Sequence, residues 1–265
     1  MMVMFSAATM AAGDSTLHLK LQRVYPEVIS DFTTDNLGNI YLVSTSNHVK
    51  KIDEKGDSLA VYNDVRRYGK ISSVDATNPL KVLVFFKDFS TIAVLDRQLS
   101  VRKTIDLRRQ NILQVKAVTT SYDNNIWLYD EMEAKLKKLD DNGRVMLESV
   151  DMRQVFDVAP SPEALFDRDG FLYMYDTTKG LLVFDYYGAQ KQKHGLPVIQ
   201  DLQVIDKQTV TGRDNDRILL YKPATLQLYS FKAFADPAVY KKIRFNDKKV
   251  YALTKEGKLE LYYVQ

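Results

Sequence analysis

Short runs of alternating apolar and polar residues, broken by small polar turns, recur along the whole chain. Asp35 to Asp53 reads DNLGNIYLVSTSNHVKKID: a turn, an apolar-aromatic strand, a polar hairpin and a second alternating strand. Ser121 to Asp140, Asp167 to Asp185 and Phe245 to Tyr262 repeat that arrangement. Two degenerate copies lie between them. One has strands at Lys81 to Phe86 and Ile92 to Leu95, the other at Thr209 to Thr211 and Ile218 to Tyr221. The alternation has period two, which predicts half-buried strands rather than helices. Gly and Asn stand where tight hairpins need positive φ, as at Leu37-Gly38-Asn39 and Arg168-Asp169-Gly170.

The first apolar position of each unit falls at Ile40, Val82, Ile126, Leu172, Thr209 and Val250, so the intervals are 42, 44, 46, 37 and 41. A period of roughly 40 to 50 residues with several strands per unit predicts a β-propeller. The expectation is an all-β, six-bladed β-propeller with four-stranded antiparallel blades. In the first blade Val28 to Thr33 is the inner strand, Ile40 to Val43 and Val49 to Ile52 are the middle pair, and Ser58 to Tyr62 is the outer strand. The last unit is one strand short after Lys258 to Val264. Leu17 to Tyr25, which alternates apolar and polar residues, is predicted to complete it and close the ring. Closure leaves few exposed sheet edges.

Gly38-Asn39-Ile40-Tyr41, Asn47-His48 and Lys51-Ile52-Asp53 resemble an NHL repeat. Ile126-Trp127-Leu128-Tyr129-Asp130 and Leu172-Tyr173-Met174-Tyr175-Asp176 are similar to the strands of YWTD-type and TolB-like six-bladed propellers. The resemblance covers residues 17 to 265 as an architecture. It implies a group that includes envelope interaction modules, carbohydrate-binding proteins, lactone hydrolases and lyases, most NHL-like and TolB-like members acting by binding. The lactonase-like members place a Glu, two Asn and an Asp around a divalent metal in the central channel. Glu163 and Asp201 are the ligands this sequence offers at such positions, and the Asn pair is missing.

Composition narrows the field. With 45% hydrophobic and 27% charged residues the 265-residue chain is not disordered. There is no cysteine, hence no disulfide framework and no thiolate chemistry. The net charge of +3, from 37 basic and 34 acidic residues, is too balanced for a nucleic-acid binder. No apolar run is long enough for a membrane span. Met1 to Gly13, MMVMFSAATMAAG, is small and apolar. It reads as a signal-peptide remnant or a disordered leader, leaving residues 14–265 as a single domain that works in the periplasm or otherwise outside the cytoplasm.

Catalytic and metal-binding constellations are not apparent, and no cofactor is expected. Asp140-Asp141-Asn142-Gly143 and Asp167-Arg168-Asp169-Gly170 look like starts of calcium loops, but both lack the remaining ligands and fall where the repeat needs a turn. His18, His48 and His194 have no zinc-like spacing. His48 sits in the first hairpin, where it serves a turn contact or lines a rim. Two longer connections, Gly188 to Pro197 and Phe231 to Lys242, are read as loops, the second with a short helix after Asp236-Pro237.

A second repeat runs inside the first. Asp64-Val65-Arg66-Arg67, Asp106-Leu107-Arg108-Arg109 and Asp151-Met152-Arg153-Gln154 share an Asp, an apolar residue, an Arg and an Arg or Gln. They are 42 and 45 positions apart. Each falls between an outer strand and the next inner strand, which sets Arg66, Arg67, Arg108, Arg109 and Arg153 along one arc of one face. Arginine forks bind carboxylate or phosphate, so the arc, with Tyr68 and His48 beside it, is a candidate docking site for an acidic protein partner or anionic ligand. The competing reading is that each Asp pairs with its own Arg and steadies the blade junction. The functional expectation is a non-catalytic binding module of the cell envelope. The alternative is a lactonase-like hydrolase or lyase acting on a sugar-derived substrate in the central funnel.

Overall fold

A computed structural model of the chain describes residues 6–7, 9–10, 15–63, 67–215 and 217–265, with side chains from residue 16 onward. Six antiparallel sheets follow one another along the chain. Blade one contains Ile29–Thr34, Ile40–Ser44, Val49–Ile52 and Ser58–Tyr62. Blades two to five have their inner strands at Ser73–Asn78, Val115–Thr120, Ala164–Arg168 and Gln200–Asp206. Blade six supplies Tyr240–Asn246, Lys249–Thr254 and Leu259–Val264, and takes its outer strand, Leu19–Tyr25, from the start of the chain. That strand pairs antiparallel with the last one, from Leu259↔Tyr25 to Val264↔Leu19. The predicted six-bladed propeller and its closure are therefore the observed ones.

The middle strands explain why the repeats are so apolar. Lys81–Phe86 and Thr91–Leu95 are buried at every position, because a neighbouring blade covers each face. Five of the core clusters span two blades: Tyr41 and Val43 of blade one pack with Val84 and Phe86 of blade two, and Phe32 and Leu42 pack across the closure with Tyr251 and Leu253. Burying one such large side chain contributes about 1.5–3 kcal/mol, so adjacent sheets hold each other together.

Outer strands behave differently, and one departs from expectation. Gln190–Gly195, inside the expected loop Gly188 to Pro197, is the fourth strand of blade four. An outer strand is covered on little of its surface, so its sequence QKQKHG need not alternate. In the other long connection a 3₁₀ turn spans Pro237–Val239, with the Asp236 carboxylate accepting from Ala238 N at 3.1 Å. Its end, Tyr240 to Lys242, already belongs to the last inner strand. Asp140-Asp141-Asn142-Gly143 forms a hairpin in which Asp140 Oδ1 accepts from Asn142 N at 2.7 Å and Arg144 N at 2.9 Å. Most of the 1–13 leader lies outside the described residues. Those that are described pair in parallel with outer strands, Ser6↔His194 in blade four and Thr9↔Gln227 in blade five. Among the described residues no helix is long and apolar enough to cross a membrane.

Candidate functional site: the central channel and its two faces

In each blade the inner strand faces the ring axis, and together the six enclose a channel of about 820 Å³. The antiparallel order fixes two faces. Links from an outer strand to the next inner strand, and hairpins between middle strands, emerge on one face. Hairpins leaving the inner strands emerge on the other.

Of the candidate arginines, Arg67, Arg108, Arg109 and Arg153 are described and lie on the first face, and the forks of Arg108 and Arg153 are occupied. Asp106 caps the 3₁₀ turn Leu107–Gln110 by accepting from Arg108 N, and its carboxylate takes Arg108 Nε at 2.9 Å and Nη2 at 3.1 Å. Asp151 repeats this with Arg153, through Nε at 2.9 Å and Nη2 at 2.7 Å. Arg153 also donates to Met132 O and Glu133 O of the hairpin beside it. These hydrogen bonds hold the Asp106 and Asp151 carboxyls below the usual carboxylate range. Two copies of the motif thus pair internally. In the first copy Arg66, with Asp64 and Val65, lies outside the described residues. Arg67 is exposed and sits 5.5 Å over the Tyr68 ring, and Tyr68 packs on Phe86 at 5.4 Å. Arg109 is exposed. His48 is half-buried in its hairpin, where its backbone N–H donates to Ser44 Oγ at 2.9 Å and Ser44 N donates to His48 O.

Inside the channel the carboxylates tie blade to blade. Asp31 accepts from Lys242 Nζ at 2.6 Å. Asp75 accepts from Thr119 Oγ1 at 2.9 Å and Thr120 N at 2.6 Å. Asp201, one of the two sequence candidates for a metal ligand, accepts from Arg213 Nε at 2.7 Å and Ile243 N at 2.9 Å. Glu163, the other candidate, lines the same channel. Among the described residues no three His, Asp or Glu converge as a metal-binding group.

The cations are less evenly committed. Arg168 ends its inner strand and donates Nη1 to Asp167 O at 2.8 Å. Arg244 lies enclosed in the channel, and its Nε is buried without a hydrogen-bond partner. Enclosure pulls the Arg244 guanidinium below its ordinary value. The charges of Asp31, Asp75 and Asp201 oppose this, while that of Arg168 adds to it. A guanidinium stays protonated regardless, so Arg244 remains a half-buried cation with one buried donor to spare. Among the described residues neither Arg168 nor Arg244 forms an ion pair. The sequence offered a faint sign of this: Lys242, Arg244 and Asn246 occupy alternate positions of one strand. That pattern marks a polar, axis-facing edge, although the sequence of Tyr240 to Lys242 also suits the loop expected there.

No protein-family model matches the sequence, and no curated relative does. Solved structures do share the fold. A catalytically inactive variant of virginiamycin B lyase from Staphylococcus aureus with quinupristin is 11% identical. That match covers 93% of this chain and 99% of the other, with a TM-score of 0.65. A streptogramin B lyase is 10% identical over 93% and 98%, with a TM-score of 0.61. BBS1N in complex with ARL6DN is 12% identical over 95% and 98%, also at 0.61. At such identities the likeness shows the six-bladed ring and says nothing of its chemistry.

Proposed function

We propose that the chain is an exported, non-catalytic binding propeller that receives an anionic group of its ligand or protein partner in the central channel. Arg244 carries this reading. A cation enclosed by protein is costly unless it is paired, and here a half-buried guanidinium sits beside a second one with its own Nε buried and unsatisfied. A carboxylate or phosphate between Arg168 and Arg244 would satisfy both forks. The non-catalytic part rests on Asp31, Asp75 and Asp201, whose carboxylates already close the ring, so acid–base work would undo structural contacts. Export rests on the small apolar stretch Met1 to Gly13. Propellers of this shape occur in a complex such as BBS1N with ARL6DN, which is compatible with a binding role.

The test is thermal unfolding at low salt with phosphate, citrate or a poly-glutamate peptide. The wild type is expected to gain Tm with at least one of these, and Arg168→Gln/Arg244→Gln to lose the gain while staying folded. An equal response of both proteins to every anion would discard the channel as the anion site.

A further inference from the structure

Thr120 ends the inner strand of blade three. It is 2% exposed, and its hydroxyl is buried with no hydrogen-bond partner. It lines a recess of about 280 Å³, together with Asn36, Thr77, Asn78, Tyr122 and Asp167. Asn36 and Thr77 also border the channel, so the recess opens at the channel mouth on the hairpin face.

Asp167 is a buried carboxylate with no ion-pair partner among the described residues. It accepts from Ser121 Oγ at 3.0 Å, Tyr122 N at 3.3 Å and Tyr186 OH at 3.3 Å. A carboxylate offers about four acceptor positions, so one is left. Burial holds the Asp167 carboxyl above its usual range despite these donors. The Tyr122 ring stacks on Tyr186, 4.2 Å between centroids, yet remains 65% exposed. Lys138 Nζ sits 5.5 Å from both rings and donates to Asp123 at 2.5 Å. The stack and the ammonium hold Tyr122 in place while the residue stays largely exposed.

These groups restrict the occupant. It must donate to Asp167 and exchange hydrogen bonds with Thr120, Thr77 and Asn36, which calls for groups that both give and accept. It must be compact. It must bring C–H bonds, positive at their hydrogens, to the negative face of an aromatic ring. An anion is disfavoured by Asp167, and a lone water meets Thr120 without using Tyr122. A ring bearing several hydroxyls meets every condition.

We propose that this recess is a saccharide-binding site, with Tyr122 as the platform and Asp167 and Thr120 gripping hydroxyls of the sugar. The inference does not rest on the channel arginines. The experiment is an array of neutral and acidic glycans probed with the full-length protein, followed by calorimetric titration of the best binder. Tyr122→Ala is expected to weaken binding about tenfold, Tyr122→Phe to preserve it, and Thr120→Val to weaken it about fivefold. Thr120→Val should also raise the Tm of the free protein, because it removes an unsatisfied hydroxyl. Arg168→Gln/Arg244→Gln should leave binding of a neutral glycan unchanged. No glycan bound by the wild type, or equal binding by folded Tyr122→Ala, overturns the proposal.

Discussion

Lys242 in the last inner strand donates its ammonium to Asp31 Oδ1 in the first, 2.6 Å away across 211 positions of sequence. The same nitrogen reaches Phe32 O at 2.9 Å. One side chain therefore links the two ends of the ring at the axis, while Leu19–Tyr25 links them at the rim. Enclosure pushes the Lys242 ammonium below its ordinary value, and the Asp31 charge opposes that shift. Asp31→Asn leaves the ammonium without its counter-charge. With both side chains partly open to water, the expected loss is about 1–2 kcal/mol, read from urea unfolding. Asp31→Asn/Lys242→Met should recover part of it, and two independent, additive losses would mean that the pair is not coupled.

His194 is buried, with Nδ1 2.9 Å from Tyr221 OH and Nε2 3.2 Å from Gln192 Oε1. A neutral ring with the proton on Nε2 satisfies both contacts. Burial lowers the His194 pKa below 6.5. A depressed value means that the unfolded chain takes up the proton first, so the contribution to stability is whole above about pH 6.5 and is lost as pH falls toward the folded value. Urea midpoints of the wild type are expected to fall between pH 7.5 and about pH 5, and those of His194→Gln to fall less. Parallel slopes would contradict a buried neutral imidazole.

Gly180 turns the chain between the middle strands of blade four with φ +83°, and a Cβ there would meet His194 O at 2.2 Å. Backbone cannot swing aside as a side-chain tip does. Gly180→Ala is expected to cost about 3 kcal/mol or more. Gly38 has a similar φ of +85° but open space around it. Gly38→Ala should cost about 1 kcal/mol. Equal Tm losses for the two variants would mean that crowding at Gly180 is relieved by movement.

A chain beginning at Pro26 lacks the outer strand of the last blade. It also loses Tyr25, which is buried at the junction of blades six and one and donates to Glu54 O at 2.9 Å. The exposed edge of Leu259–Val264 then offers its backbone to other chains. Size-exclusion chromatography and circular dichroism should show aggregation or loss of cooperative unfolding. A monomeric, cooperatively folded product would mean that the ring holds without its closure.

The architecture was legible because it is built from local repeats. Ile40, Ile126, Leu172 and Val250 stand at or next to the start of strands buried on both faces, and strands of that kind need apolar residues wherever they occur in the chain. The outer strand Gln190–Gly195 was not legible, since water covers much of it and its polar sequence mimics a loop. The arginine motif was found, but the two forks on Asp106 and Asp151 are a matter of side-chain geometry. Tyr122, Thr120 and Asp167 could not be joined by inspection, because they come from two blades and meet only where the inner strands approach the axis.

The order of hydrophobic and polar positions determined six units, their period and the first strand's place in the last blade, because each blade must bury its own middle strands. Tertiary structure alone decided which charged groups are satisfied. Whether a carboxylate such as Asp201 stays free or is consumed by Arg213 and Ile243 depends on distances of about 3 Å between strands far apart in the chain. No spacing along the chain encodes those distances.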